Sequence, residues 1–250
     1  MNFKEYGNKK YKTLLFIHGM ASTAQLCFEP LLKYLNNYHV VLVEVDGHSD
    51  NSKEDLKSLA SCCDCIEKYI NDNFDGHIFG LCGFSMGATM SVELIGRGNI
   101  KVDKVFLDAA FTVKMGLFKS KLYTFCFVKA IERLQKGKKI PKFLIDSIMG
   151  KDNNSVIEML YNNITANTII NVCKFVYKYD IPYGLKNFKN PVMFIRGTNE
   201  RYPKKSARIL KKYLPQLKEK VYHNMGHGQY LHEHSAEYAR DLLNFLEQTC

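Results

Sequence analysis

The chain of 250 residues is long enough for one α/β domain with an insertion, and its hydrophobic content of 46% is typical of a globular protein. Its net charge of +10 is compatible with a nucleic acid, an anionic membrane surface or an acidic substrate. However, the lysines are scattered and no nucleic-acid motif is present, which favours a solvated basic surface and no nucleic-acid partner. The charged start and the lack of a long apolar stretch predict a cytoplasmic protein without stable membrane insertion, and no particular oligomeric state is predicted.

Three of the eight cysteines are close together, at Cys62, Cys63 and Cys65. A zinc site would need a second pair of cysteines or histidines at a suitable separation, and the sequence has no such pair. The three cysteines also lie within a helical pattern, where neighbouring thiols more often pack than bind a metal. We therefore predict reduced thiols, no metal site and no organic cofactor.

Strands and helices are predicted to alternate along the chain, except in one central segment. Apolar runs predict strands at 11–17, 39–45, 77–82, 102–107, 191–196 and 218–222. Helices are predicted at 23–36, 52–70, 88–95, 204–213 and 234–248, with N-caps at Thr23 and at Ser52, which Asp55 follows. This alternation is typical of an α/β fold with a mostly parallel central sheet that is flanked by helices. Ligands of such sheets bind at the carboxyl ends of the strands.

The alternation stops between residues 111 and 182, where no clear strand is present. Aromatic and aliphatic residues recur there at helical spacings, among them Phe118, Leu122, Phe125 and Phe127. So long an insertion between two sheet strands is usually functional. We predict a core domain of residues 1–110 and 183–250, with 111–182 as an inserted helical cap or lid over the strand ends. A helical subdomain with only its own core is the alternative.

Residues 77–88, HIFGLCGFSMGA, predict a strand, a sharp turn and a helix, with Ser85 at the turn. Gly83 and Gly87 lack Cβ atoms, so the helix can pass close to the strand. This pattern indicates a nucleophile elbow, in which the serine hydroxyl projects from the end of the sheet. A glycine-rich turn with an incidental serine is the alternative. The preceding strand and the following helix favour the elbow.

A serine nucleophile needs a base, and the base needs an acid that orients it. His227 lies between two glycines, after the last predicted strand, where a loop can present its imidazole at the sheet edge; the alternative is a surface histidine. Glu200 follows the fifth predicted strand and is the favoured acid. The alternative is that Glu200 forms a surface ion pair. Asp108, at the end of the fourth strand, is the rival candidate for the acid.

The oxyanion of an acyl-transfer intermediate needs two backbone N–H donors. Met86, directly after Ser85, is predicted to supply one, and Met20, in the loop after the first strand, is predicted to supply the other. His18 is predicted to be structural and to form bonds within that loop. Asp46 and His48 are predicted to set a turn near the rim of the site.

Four motifs occur in a characteristic order: His18-Gly19, Gly83-Phe84-Ser85-Met86-Gly87, Gly197-Thr198-Asn199-Glu200 and Gly226-His227-Gly228. In this order they resemble the α/β-hydrolase superfamily, with a similarity to small carboxylesterases and monoglyceride-lipase-like enzymes. The resemblance implies that Ser85 is the nucleophile, Glu200 the acid and His227 the base. Family members more often have Asp where Glu200 stands. The short segment before Tyr11 implies a sheet of fewer than eight strands.

The residues and the resemblance together predict a serine hydrolase that cleaves a small-molecule ester or thioester of an apolar acyl group through an acyl-enzyme. An acyltransferase with the same three residues is one alternative, because an alcohol or thiol could replace water. A ligand receptor that retains the three residues but turns over slowly is another. A scaffold whose partner surface is the apolar cap is the third.

Overall fold

The computed structural model describes residues 1–50, 54–149 and 155–248. In these residues seven strands form one sheet. They are β1 (Asn2–Tyr6), β2 (Thr13–Ile17), β3 (His39–Glu44), β4 (His77–Phe84), β5 (Lys101–Asp108), β6 (Val192–Gly197) and β7 (Lys218–Tyr222). The α-helices are α1 (Ala24–Leu32), α2 (Leu59–Phe74), α3 (Met86–Arg97), α4 (Leu117–Gln135), α5 (Lys142–Met149), α6 (Ala166–Tyr177), α7 (Arg201–Leu210), α8 (Gln229–Glu233) and α9 (Ser235–Glu247). Two short 3₁₀ segments lie at Ser155–Met159 and Tyr183–Asn187.

The strand order across the sheet is β1-β3-β2-β4-β5-β6-β7, and only β1 runs antiparallel to its neighbour. The chain passes from β2 to β3 on one side and then crosses back to β4 on the other side of β2. The loops that follow β2 and β4 therefore diverge in opposite directions and leave a crevice at their carboxyl ends. This crevice is where the loop after β2 meets the turn that contains Ser85.

Alternate residues of the central strands face two separate hydrophobic clusters. In β2, Leu15 and Ile17 pack with α2, α3 and α7 on one face, whereas Leu14 and Phe16 pack with α1 and α9 on the other. Because both faces are covered, the strand is apolar along its length and all four side chains are at most 1% exposed. Two helical layers thus hold the sheet rigidly beneath the crevice.

The predicted α/β class and mostly parallel sheet are confirmed, and the predicted strands differ from the observed ones by at most two residues at an end. Two elements were not predicted from the sequence: the edge strand β1 and the five-residue helix α8. Helix α1 is shorter than predicted. The prediction that α2 starts near Ser52 is wrong because α2 begins at Leu59, where Ser58 is the N-cap and accepts the N–H of Ser61. Ser52 itself lies outside the described residues.

Between β5 and β6 the described residues contain helices α4, α5 and α6 and the 3₁₀ segments, and no strand. Helices α4 and α6 contact each other, and α4 also contacts α5. Within the described part of the chain, no helix has the length and apolar character that a bilayer span requires. These helices lie on the side of the sheet where the carboxyl ends of the strands meet the cavity described below.

Candidate active site

Ser85 occupies the sharp turn between β4 and α3, with φ 53° and ψ −111°. This backbone conformation is rare for a residue with a Cβ atom, and such strain is typical of functional turns. The N–H of Ser85 donates to the carbonyl oxygen of Asp108 at 2.8 Å, which attaches the turn to the end of β5. The turn therefore holds the Ser85 hydroxyl at a fixed position at the edge of the sheet.

Close backbone approach explains the glycines on either side of Ser85. A Cβ atom on Gly87 would lie 2.0 Å from the carbonyl oxygen of Ile17, and one on Gly83 would lie 2.6 Å from the backbone of Ala88. Both distances are far below van der Waals contact, so a side chain at either position would push α3 away from the sheet. Helix α3 can start directly behind Ser85 only because both residues are glycine.

His227 connects Ser85 to Glu200. The Ser85 hydroxyl lies 2.8 Å from His227 Nε2, and His227 Nδ1 lies 2.7 Å from Glu200 Oε1. With the proton on Nδ1, the imidazole donates to the carboxylate and accepts from the hydroxyl. The three residues that the sequence singled out, which are up to 142 positions apart, thus form one hydrogen-bonded chain.

Glu200 is 5% exposed and receives a second hydrogen bond, from the N–H of Gly197 to Oε2 at 2.5 Å. The alternative of a surface ion pair therefore does not apply to Glu200. The loop that contains Glu200 is also bonded to the loop that contains His227, since the N–H of Asn199 donates to the Met225 carbonyl at 3.1 Å. Carboxylate and imidazole are thus held by one pair of interlocked loops.

Asp108, the rival acid, lies at the end of β5 and is 5% exposed. Burial and the nearby charge of Glu200 raise the pKa of Asp108 well above its usual value, while a hydrogen bond with Tyr238 opposes that rise. This environment disfavours the charged form of the Asp108 carboxyl. Glu200, not Asp108, is the carboxylate whose oxygen lies 2.7 Å from the imidazole.

The loop after β2 lies against Ser85. A Cβ atom on Gly19 would be 3.4 Å from the Cβ of Ser85. His18 shapes this loop: its Nδ1–H donates to the Gly19 carbonyl at 2.8 Å, and its Nε2 accepts the N–H of Val45 at 3.1 Å. Burial lowers the pKa of His18 to about 3, so the ring is neutral and Glu44, 3.5 Å away, does not form an ion pair with it.

Met86 and Met20 are the two residues that the sequence predicts as oxyanion donors. Met86 is the first residue of α3, and N–H groups in the first turn of a helix have no acceptor within that helix. Met20 follows Gly19 in the loop after β2, and its side chain lines the cavity beside Ser85. The two residues thus come from the two loops that border the crevice, one from each side.

His48 is fully buried near the rim, with its ring centroid 5.1 Å from that of His18. Its Nδ1–H donates to the Asp46 carbonyl at 2.9 Å, and its backbone N–H donates to the Val45 carbonyl at 3.2 Å. Burial lowers the pKa of His48 to about 4, so this histidine is neutral at pH 7. The turn that the sequence predicted at Asp46 and His48 is therefore present, with His48 as a neutral ring and the Asp46 carboxylate paired with the N-terminal ammonium group.

A cavity of about 350 Å³ opens at Ser85 and His227. Its walls come from the loops of the sheet and from the helices between β5 and β6. The apolar walls are formed by Met20, Phe84, Phe111, Met115, Phe127, Met159, Leu160, Val176 and Pro203, with Tyr123, Tyr177 and Tyr202. Apolar and aromatic residues make up most of the lining, which suits an apolar ligand, and the other lining residues are Ser22, Ser85, Asp146, Asn199, Glu200, Arg201 and His227.

Metal-binding groups are not assembled elsewhere in the described residues, where no three His, Cys, Asp or Glu side chains are arranged to hold an ion. Cys62 and Cys63 are buried in the helix α2 against the hydrophobic cluster, and Cys65 is exposed. Burial raises the pKa of Cys62 to about 12, which keeps it as a thiol. Cys250 lies outside the described residues.

Sequence reasoning missed Thr89, one turn after Met86 in α3. Its hydroxyl donates to the Phe111 carbonyl and accepts the Phe111 N–H, both at 3.1 Å. The helix that begins at Ser85 is thereby attached to the start of the segment 111–182. Thr89 lies four residues after Ser85 in the sequence, but only the fold reveals that it faces Phe111.

The comparisons with known proteins agree with this architecture. The sequence matches the family model of the alpha/beta hydrolase fold over residues 12–125. An α/β-hydrolase family protein from Desulfitobacterium hafniense is 22% identical with a TM-score of 0.87, and the alignment covers 98% of this chain and 100% of that one. A lipase-esterase related protein from Clostridium acetobutylicum is 22% identical with a TM-score of 0.75, covering 98% of each chain.

A third similar structure is an esterase from Exiguobacterium antarcticum, which is 14% identical with a TM-score of 0.79 and coverage of 98% of this chain and 95% of that one. No curated protein matches the chain in sequence. At these identities the solved structures establish a shared fold, and the family model independently matches the segment that contains β2, β4, Ser85 and β5. Both findings agree that the chain has the α/β-hydrolase fold.

Proposed function

We propose that the chain is a serine hydrolase that cleaves carboxylic esters, or thioesters, of apolar acyl groups through an acyl-enzyme. The observation that supports this proposal most strongly is the continuous chain of hydrogen bonds from Ser85 through His227 to Glu200, at 2.8 and 2.7 Å, at the opening of an apolar cavity. In this proposal Ser85 is the nucleophile, His227 the general base and Glu200 the acid that orients the imidazole.

Acylation starts when the Ser85 hydroxyl attacks the acyl carbon and gives its proton to His227 Nε2. The Nδ1–H bond to Glu200 stabilises the imidazolium that forms. The carbonyl oxygen becomes an oxyanion, and the N–H groups of Met20 and Met86 are proposed to stabilise it; one such donor lowers the barrier by about 3 kcal/mol. The imidazolium then protonates the leaving alcohol or thiol, and the Ser85 ester remains.

Deacylation repeats these steps with water. A water molecule attacks the Ser85 ester while His227 accepts one of its protons, and a second oxyanion forms in the same position. When this intermediate breaks down, the imidazolium returns a proton to Ser85, and the carboxylic acid leaves. No step in this sequence requires a metal or an organic cofactor.

We further propose that residues 111–182 form a cap on a core of residues 1–110 and 183–250. The cavity supports this division, because Ser85 and His227 lie on its core side while Tyr123, Phe127 and Val176 come from helices α4 and α6. An apolar acyl chain can bury its methylene groups between these two sides. The segment would then select the acyl group while the core performs the chemistry.

Steady-state hydrolysis of p-nitrophenyl esters with acetyl, butyryl and octanoyl chains tests this function. The proposal predicts turnover of all three esters, with a lower KM for the longer chains. A burst of one p-nitrophenol per enzyme without further turnover would favour a receptor. Faster p-nitrophenol release with an added alcohol, together with formation of the new ester, would favour an acyltransferase.

A further inference from the structure

Helix α4 has apolar side chains on two opposite faces. The inner face contributes Tyr123 and Phe127 to the cavity. On the outer face, Phe118, Leu122 and Phe125 follow one another at spacings of four and three residues, so they lie in one line along the helix. Their exposed fractions are 81%, 48% and 60%. A helix that only covered a core would have polar residues on this outer line.

The outer apolar line belongs to a larger exposed surface. Leu117, at the start of α4, is 66% exposed, and Phe143, on the adjacent helix α5, is 71% exposed. We call the five residues Leu117, Phe118, Leu122, Phe125 and Phe143 the outer apolar patch. Exposed apolar side chains that are grouped in this way, in contrast to scattered ones, indicate a surface that contacts a partner.

The same segment is strongly basic. Residues 111–149 contain eight lysines and one arginine but only two acidic residues, in a chain whose net charge is +10. All eight lysines are exposed. Lys119 and Lys121 lie directly beside Phe118 and Leu122, and Lys129 continues the line of Phe118 and Phe125. Most of the net charge of the protein therefore lies in the segment that carries the outer apolar patch.

The combination of apolar and basic side chains on one surface restricts the kind of partner that can bind there. A second copy of this surface would bring two strongly basic segments together, which repulsion disfavours. A nucleic acid would satisfy the lysines but would leave the outward Leu and Phe side chains in water. A bilayer that contains anionic lipids satisfies both, because its phosphates attract lysines and its acyl region accepts aromatic and aliphatic side chains.

We propose that the outer apolar patch and its flanking lysines bind the surface of an anionic lipid bilayer. Helix α4 lies in the plane of the interface, with Phe118, Leu122 and Phe125 in the acyl boundary and Lys119, Lys121 and Lys129 at the phosphates. The opposite face of the same helix lines the cavity, so the bound protein has its apolar cavity directly above the membrane. This docking does not depend on the proposed chemistry at Ser85, and it involves no membrane-spanning segment.

Vesicle cosedimentation of the full chain tests the proposal. We expect binding to vesicles of phosphatidylcholine mixed with phosphatidylserine, and weaker binding to phosphatidylcholine alone or at high salt. The double variants F118S/F125S and K119E/K121E should each weaken partitioning about tenfold. Two matched controls, Y11S/Y183S and K10E/K212E, replace exposed aromatic residues and exposed lysines elsewhere on the protein. Tyr183 is as exposed as Phe118, at 81%. Both controls should bind vesicles as the wild type does.

Hydrolysis of a soluble short-chain ester by the same variants separates docking from chemistry. F118S/F125S should retain the wild-type rate and melting temperature, because neither side chain lines the cavity. Equal vesicle binding by F118S/F125S and wild type would overturn the proposal. The proposal would also be overturned if the wild type formed a dimer in sedimentation velocity and F118S/F125S did not. Binding of a DNA duplex in place of vesicles would overturn it as well. Inactivity of the wild type towards every ester would leave the vesicle result valid and contradict only the proposed function.

Discussion

Asp108 and Glu200 are both buried, and burial together with the nearby charge of Glu200 raises the pKa of Asp108. A second negative charge beside the first is unfavourable in a buried environment, so the ionised form of Asp108 is disfavoured. Glu200 is the one that accepts N–H donors, from Gly197 and from His227. The two acids that the sequence leaves as rivals thus differ in their hydrogen-bond partners: the carboxylate oxygen 2.7 Å from the imidazole belongs to Glu200.

Replacing these two acids should have very different consequences for turnover. E200Q should lower kcat by about 10²- to 10⁴-fold, because the imidazole loses the carboxylate that orients it and stabilises its charged form. D108N should stay within about tenfold of wild type, since the carboxylate oxygen 2.7 Å from the imidazole belongs to Glu200. Steady-state kinetics on one ester at pH 7 measure both. A larger loss for D108N than for E200Q would assign the role of the acid to Asp108.

The buried histidines should make the fold sensitive to acid. In the unfolded chain His18 and His48 bind protons below about pH 6.5, whereas their folded pKa values are about 3 and about 4. Protons therefore favour the unfolded state in this window: the stabilisation is complete above about pH 6.5 and is lost as the pH falls towards the folded values. Burial raises the folded pKa of Glu44 to about 7, which acts in the opposite direction, so the histidine contribution is obtained by comparing the melting temperatures of the wild type and a variant over this pH range.

The variant H48N tests how much the protonation of His48 contributes to the loss of stability at low pH. Asparagine can still donate to the Asp46 carbonyl but does not ionise, so the melting temperature of H48N should fall less than that of wild type over the same pH range. A reference variant at the exposed His77, H77N, should follow the wild-type curve. If H48N and wild type lose stability equally on acidification, protonation of His48 does not contribute to acid unfolding.

The close approach behind the Ser85 turn should make Gly87 intolerant of any side chain. A Cβ atom there would lie 2.0 Å from the Ile17 carbonyl oxygen, so G87A should reduce the free energy of unfolding by about 3 kcal/mol or more. G116A is the control, because a Cβ atom on Gly116 meets nothing within 4 Å; it should cost about 1 kcal/mol or less. Urea denaturation measures both values, and a G87A variant as stable as G116A would refute the packing argument.

The cavity should determine which acyl chains are accepted. Val176 contributes to the cavity wall from α6, and V176F would narrow the space beside it. We expect the ratio of kcat/KM for octanoyl over acetyl esters to fall about tenfold, because a misfit of one or two methylene groups has roughly this effect. V128F, on the same group of helices but outside the cavity lining, should leave the ratio unchanged. An unchanged ratio in V176F would mean that the acyl group binds elsewhere.

The sequence predicts the central strands well because they are buried on both faces and therefore read as continuous apolar runs, as in β2 and β3. Strand β1 escapes prediction because NFKEY has no such run and is placed by antiparallel pairing with β3. Helix α8 is too short to produce a periodic pattern. The local sequence pattern therefore identifies elements that are buried on both faces, and it misses elements whose structure depends on contacts with a neighbouring element.

The site residues could likewise be predicted only where the local sequence determines their position. Ser85 could be identified because the strand, glycines and helix that form its turn are adjacent in sequence. The choice between Glu200 and Asp108 could not be made in that way, since both residues follow strands at the same edge of the sheet. Hydrogen bonds between the two loops, such as the one from Asn199 to Met225, bring Glu200 to His227. The basic character of residues 111–149 does not follow from the net charge of +10, because that value does not say where along the chain the lysines lie.

Labelling with a fluorophosphonate tests the central claim most directly, because the reagent reacts with a serine hydroxyl only when a neighbouring base activates it. Intact mass and peptide mapping should find one adduct per chain in the wild type, on Ser85, and the S85A and H227A variants should not be labelled. An unlabelled wild type, or equal labelling of S85A, would contradict the account.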